Sequence, residues 1–256
     1  MLLAIDIGNT NVVWGIFDGD KLVADWRVGT DYSKTTDEYA ILLLDLLRVE
    51  GISPERVDGV ILSSVVPPLT PLFEELAETY FHCLPLNVSA ELETGLTIKY
   101  ANPLEVGSDR IVNAAAAYRR YGGPIIVVDF GTATTFCAVT ADGEYLGGAI
   151  APGLRISAEA LYARTAKLPK IELVRPKSVI GRDTVSSMQA GLVFGYAGLV
   201  DELVRRIQQE LGRDCFVLAT GGLAGLIAPE SRSIREVRPH LTLEGLALLY
   251  ALNRPS

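Results

Sequence analysis

Two aspartates almost half the chain apart carry the first chemical signal. Each closes an apolar run and is followed two residues later by a glycine. One copy reads Ala4-Ile5-Asp6-Ile7-Gly8-Asn9-Thr10-Asn11, the other Val127-Val128-Asp129-Phe130-Gly131-Thr132-Ala133-Thr134. A glycine there lets the backbone approach an anion, because no Cβ stands in the way. The side chains of Thr10, Asn11, Thr132 and Thr134 are of the right type to donate to phosphate oxygens. Two carboxylates brought to one cleft repel unless a cation lies near them. Mg²⁺ on a triphosphate meets that need, held at Asp6 through water because the ion gives up its hydration reluctantly. An isolated Asp-x-Gly can simply mark a strand end. Its repetition favours chemistry.

The elements that must position these residues repeat as well. Val12 to Gly19 matches Thr135 to Gly143 with one residue inserted, and both runs end in Asp-Gly, a strong hairpin signal. A third run follows each, Lys21 to Trp26 and Glu144 to Ala149. Each half therefore opens as strand, tight polar turn, strand, hairpin, strand, and the two halves are expected to face one cleft. A further strand, Asp214 to Thr220, runs into Gly221-Gly222, where a flat adenine or a ribose can lie against the backbone. No G-x-G-x-x-G opens a helix and no G-x-x-x-x-G-K-[ST] occurs, which disfavours a dinucleotide fold and a P-loop.

Helical periodicity is expected over 36–50, 69–81, 110–121, 158–166, 184–211 and 241–253, with a buried strand over 57–65 and short extended pieces at 84–88 and 96–100. Alternating strands and helices in two related halves make the chain α/β, divided into domains 1–121 and 122–256. Gly191, Gly195 and Gly198 recur at helical spacing, which means close packing, in the core or against a partner subunit.

The chain has 256 residues, 49% hydrophobic and 21% charged, with a net charge of −8. That balance argues against broad nucleic-acid or anionic-membrane binding. No apolar run has membrane-spanning length and the N-terminus shows no signal pattern, so a cytoplasmic protein is expected. Three scattered cysteines, Cys83, Cys137 and Cys215, fit buried apolar positions better than a disulfide framework. With only His82 and His240, a histidine-rich metal site is excluded and a Ser-His-Asp triad is disfavoured.

The ordered set resembles the superfamily of sugar and acetate kinases, actin and heat-shock ATPases, in which two ribonuclease-H-like halves clamp ATP. Within it, Asp6-x-Gly8-Asn9-Thr10, Gly107-Ser108-Asp109-Arg110, Asp129-Phe130-Gly131-Thr132-Ala133-Thr134-Thr135, Leu168-Pro169, Gly181-x-x-Thr184 and Thr220-Gly221-Gly222 look like type III pantothenate kinase. Ser108 stands where that family more often has alanine. The resemblance implies phosphorylation of pantothenate by ATP, the opening step toward coenzyme A, in a homodimer. It implies Asp109 as catalytic base, and Tyr100, Gly107, Ser108, Asp109, Arg110 and Thr184 around pantothenate, Thr184 serving the neighbouring subunit. Asp6, Ile7, Gly8, Asn9, Thr10, Asn11, Val12, Val13 and Thr132 fall to ATP, joined by Gly221 and Gly222. Asp129 is implied as ligand of a monovalent cation, K⁺ or NH₄⁺.

The residues themselves admit plainer readings. Asp109 opens a strong helix and can be a cap, and the helix dipole is expected to lower its basicity. Arg110 can pair with Asp109 or Glu105, and Thr184 can cap the helix that follows it. A non-catalytic, nucleotide-binding accessory protein of the same family is the alternative function. It would require loss of Asp6, Asp109 or Asp129, and all three are present.

Overall fold

Why the aspartates sit where they do follows from strand alternation, seen in a computed structural model that describes residues 1–254. In chain order the first elements are β1 (Leu2–Ile7), β2 (Asn11–Asp18), β3 (Lys21–Gly29), α1 (Thr36–Val49), β4 (Gly59–Ser64) and α2 (Thr70–Phe81). Then come β5 (Leu86–Asn87), β6 (Thr97–Ile98), α3 (Ser108–Tyr121), β7 (Ile125–Phe130), β8 (Ala133–Val139) and β9 (Glu144–Pro152). The last are α4 (Leu154–Ala163), α5 (Thr184–Leu211), β10 (Phe216–Thr220), α6 (Ala224–Ile227), β11 (Glu236–Val237) and α7 (Leu241–Asn253). Two mixed sheets flanked by helices make the chain α/β, as expected.

The chain divides into two compact units, one of residues 1–96, 101–116 and 241–256, the other of 97–100 and 117–240. A single boundary at 121/122 misses two exchanges. α7 packs on β1 and β4 of the first unit, and β6 pairs in parallel with β9 of the second. Both are long-range pairings that local pattern does not encode.

In the first unit the sheet order is β3-β2-β1-β4-β5. Leu3, Ile5 and Ile7 of β1 are buried with Val12, Trp14, Val60 and Leu62, in one core with Tyr39, Leu43 and Leu47 of α1 and Phe73 and Leu76 of α2. Thr35 and Glu38 cap α1 reciprocally. The alternate residues of β1 point the other way. There Ala4 and Ile61 pack with Val112 and Ala115 of α3 and Leu243, Leu246 and Leu249 of α7. Asp6 belongs to this second face.

In the second unit the order is β11-β10-β7-β8-β9-β6. Ile126, Val128 and Phe130 are buried with Phe136, Val217, Leu154 of α4 and Val193, Ala197 and Val200 of α5. Asp129 is thus turned away from that core, as Asp6 is from its own. The internal repeat is closer than sequence matching shows. Both hairpins carry a register shift at the same relative place, between Ile16 and Phe17 and between Ala138 and Val139. The single insertion is really two changes: the turn after β7 is one residue shorter than that after β1, and the β8–β9 hairpin is longer than its counterpart.

Other expectations shift in detail. α4 begins at Leu154 rather than residue 158, because Gly153 ends β9 without a capping side chain to announce a helix. The three glycines of α5 pack against nothing within their own chain: a Cβ built on Gly191, Gly195 or Gly198 meets no atom within 4 Å. Among the described residues no helix is long and apolar enough to cross a membrane. No disulfide joins Cys83, Cys137 or Cys215.

The approach of α7 to α3 is backbone-close. A Cβ built on Gly245 lies 2.5 Å from the Val112 carbonyl oxygen. Gly245→Ala is therefore expected to cost about 1–3 kcal/mol through overpacking, read as a lowered urea midpoint at unchanged m-value.

Candidate active site

The first unit gathers one group of the expected residues. Asp6 is the penultimate residue of β1, in register with Val13 of β2 and Ser63 of β4. After it, the Gly8 N–H donates to the Asn11 carbonyl at 3.0 Å, closing the turn. The Thr30 hydroxyl donates to the Gly8 carbonyl at 2.6 Å, and its N–H to the Thr10 carbonyl at 3.0 Å. The turn is thereby braced from β3, leaving Asn9 and Thr10 exposed to a ligand.

Helix α3 enters the same sheet face. The Ser108 hydroxyl donates its single proton to the Ser64 carbonyl at 3.0 Å, so it accepts from the Ser63 hydroxyl, also at 3.0 Å. This buried chain ties the start of α3 to the end of β4, and so to the strand beside Asp6. Asp109 stands in the first turn of α3, its Oδ1 accepting from the Arg110 N–H at 2.8 Å. A Cβ on Gly107 would lie 2.7 Å from that oxygen, so glycine leaves the carboxylate its place. Arg110 is itself buried. Sequence reasoning passed over Thr30, Ser63 and Ser64. Two hydroxyls at a strand end before Pro67-Pro68 were the visible signal.

Burial pushes the Asp109 carboxyl above its ordinary value, against the Arg110 amide and guanidinium, which pull it down. Desolvation of the anion thus works against the lowering expected from the helix dipole.

In the second unit Asp129 is in register with Thr135 of β8 and Thr220 of β10. Gly221 follows at φ +89°, and a Cβ there would lie 2.4 Å from the Asp129 Oδ1. Only glycine suits both the backbone and the space. Thr132 is exposed on the turn, where the Gly131 N–H donates to the Ala133 carbonyl at 3.1 Å. The Thr134 side chain, expected among the phosphate donors, is turned inward. It pairs with Phe130 on the core face and is fully buried.

Tyr100 lies beside Tyr145, ring centroids 6.5 Å apart. Gly147 makes room for it at φ +107°, since a Cβ there would come within 2.8 Å of the ring. Thr184 opens α5 in an open groove of about 720 Å³ lined by Leu161, Leu168, Met188, Gly191 and Leu192. Asp183, rather than Thr184, caps that helix, its carboxylate accepting from the Ser186 N–H at 2.9 Å.

Among the described residues no three His, Cys, Asp or Glu side chains form a metal cage. The donor set is single carboxylates at strand ends, which fits a divalent ion that arrives on a polyphosphate and keeps much of its water.

A family model described as type III pantothenate kinase matches residues 2–206. The chain belongs to the type III pantothenate kinase family. A type III pantothenate kinase of Geobacter sulfurreducens is 57% identical over 254 residues, covering 99% of this chain and all of the relative. One from Roseiflexus sp. is 56% identical with the same coverage. Among solved structures, the inorganic polyphosphate/ATP-glucomannokinase of Arthrobacter sp. strain KM superposes with a TM-score of 0.53 at 17% identity, covering 98% of each chain. The fold is thus that of the sugar kinases and actin-like ATPases.

Within this pantothenate kinase family member, Asp109 has a testable double effect. Its raised pKa means the native state holds the proton more tightly than the unfolded chain, so this group's contribution to stability falls as pH rises from the ordinary carboxylate value through the native one. Asp109→Asn is expected to lower turnover by roughly 10²–10⁴ while the unfolding temperature at neutral pH stays level or rises. A drop in that temperature would show that the carboxylate serves as structural support.

Proposed function

We propose that this chain transfers the γ-phosphoryl group of ATP to the terminal primary alcohol of pantothenate, giving 4'-phosphopantothenate in the first step of coenzyme A biosynthesis. The observation that carries the reading is full-length similarity to enzymes of that name, with Asp109 held half-buried at the start of α3. The alcohol oxygen bonds to the γ-phosphorus as the bond to the ADP oxygen breaks. Asp109 orients the hydroxyl and takes its proton, and its raised pKa suits that task. Phosphoryl transfer proceeds through a loose transition state, so orientation of the alcohol counts for more than early deprotonation.

The assignment of partners follows the same reading. Asp6 to Val13 in the first unit, and Thr132, Gly221 and Gly222 in the second, serve ATP. Asp6 would hold the Mg²⁺ that comes with ATP, which would neutralise phosphate charge there. Asp129 takes a monovalent cation, K⁺ or NH₄⁺. Tyr100, Gly107, Ser108, Asp109 and Arg110 serve pantothenate, joined by Thr184 acting on the pocket of a second subunit. The exposed glycine stripe of α5 and the groove at Thr184 support a homodimer. Three cysteines with no disulfide among them suit the cytoplasm. Nothing observed favours a non-catalytic role.

An ADP-release assay with pantothenate, Mg²⁺ and K⁺ is expected to show pantothenate-dependent turnover, and folded protein without it would overturn the proposal. Exchanging K⁺ for Na⁺ is expected to lower the rate. Indifference to the ion would remove Asp129 from that role.

A further inference from the structure

Residues 30–32, just after β3, grip the turn that follows Asp6, and the proposed function gives them no part. The Thr30 hydroxyl donates to the Gly8 carbonyl at 2.6 Å, and the Thr30 N–H to the Thr10 carbonyl at 3.0 Å. The Tyr32 hydroxyl donates to the Asn9 Oδ1 at 3.5 Å. The grip is itself anchored in the core. The Asp31 N–H donates to the Tyr39 hydroxyl at 2.8 Å, and that hydroxyl donates to the Asp31 carbonyl at 3.0 Å. Tyr39 is fully buried on α1, its ring centroid 4.9 Å from that of Phe73.

This grip decides the direction of one peptide plane. The bond from the Gly8 N–H to the Asn11 carbonyl closes the turn, but it does not fix the Gly8–Asn9 peptide, and glycine resists rotation of that plane least. The peptide is trans, so its carbonyl and its N–H point opposite ways. Holding the Gly8 carbonyl toward Thr30 therefore aims the Asn9 N–H away from β3. Asn9 is exposed, so the donor is set before a ligand arrives. A donor fixed in advance costs no reorganisation on binding.

The geometry points to Thr30 as a positioning residue for the phosphoryl donor, its hydroxyl setting the Gly8–Asn9 peptide so that the Asn9 amide meets a phosphate oxygen. This rests on the reading that the turn after Asp6 serves ATP. Thr30 acts through the turn, so valine, which keeps its shape without the hydroxyl, removes the effect, and serine keeps it.

Calorimetric binding of AMP and of the non-hydrolysable analogue AMP-PNP, each with Mg²⁺, tests this on the wild type, Thr30→Val and Thr30→Ser. Thr30→Val is expected to weaken AMP-PNP roughly three- to tenfold, the size of one hydrogen bond, with AMP unmoved and Thr30→Ser like the wild type. In turnover the KM for ATP should rise by the same factor, with KM for pantothenate unchanged. Unaltered AMP-PNP affinity in Thr30→Val, or equal weakening of AMP, overturns the role of Thr30 and leaves the ATP assignment standing. Folded wild-type protein that binds neither nucleotide overturns both. If Thr30→Val does not fold, the Asn9 amide resonance of ¹⁵N-labelled wild-type protein decides. It should shift with AMP-PNP and not with AMP, and an unmoved resonance overturns the proposal.

Discussion

The period of two in β1 and β7 is the constraint on which the rest depends. Leu3, Ile5 and Ile7 in one strand, and Ile126, Val128 and Phe130 in the other, are driven into cores by loss of apolar surface from water. Because neighbours alternate, Asp6 and Asp129 must face the other way. A slip of one residue would bury each carboxylate in hydrocarbon and is excluded by the same energy. The charged groups are thus held by strands whose other face is buried in each unit's core. The turns that follow add close-fitting glycines.

The placement of Asp109 shows how a fold can tolerate an unfavourable group. Its partial burial disfavours the ionised form, and the Arg110 amide only partly offsets this. The carboxylate nevertheless stays put, because α3 is fixed at two levels. The Ser63–Ser108–Ser64 hydroxyl chain holds its start, and Val112 and Ala115 bury its flank against α7. Ser108 adds a link in this chain that a methyl group cannot make.

Much of this was legible in the sequence for definite reasons. The capping box of α1, the uninterrupted run of α5 and the bounds of α7 are written in local side chains. The duplicated aspartate turns were legible because a polar residue interrupting a buried strand is conspicuous. What was hidden depended on geometry at a distance. The start of α4 has no capping side chain to mark it. Thr134 looks like its neighbour Thr132, and only the register with Phe130 sends it inward. The basicity of Asp109 turned on desolvation, which depends on how the helix packs. The open face of the α5 glycines could not be told from a packed one by spacing alone.

The position of α7 has a consequence for synthesis. Leu243, Leu246 and Leu249 complete the second core of the first unit, yet residues 117–240 must be translated before they exist. At about 5–20 residues per second, that interval is roughly 6–25 s. Throughout it Val112 and Ala115 of α3 are already made, but the nascent first sheet presents Ala4, Phe17 and Ile61 without the part of their cover that α7 supplies.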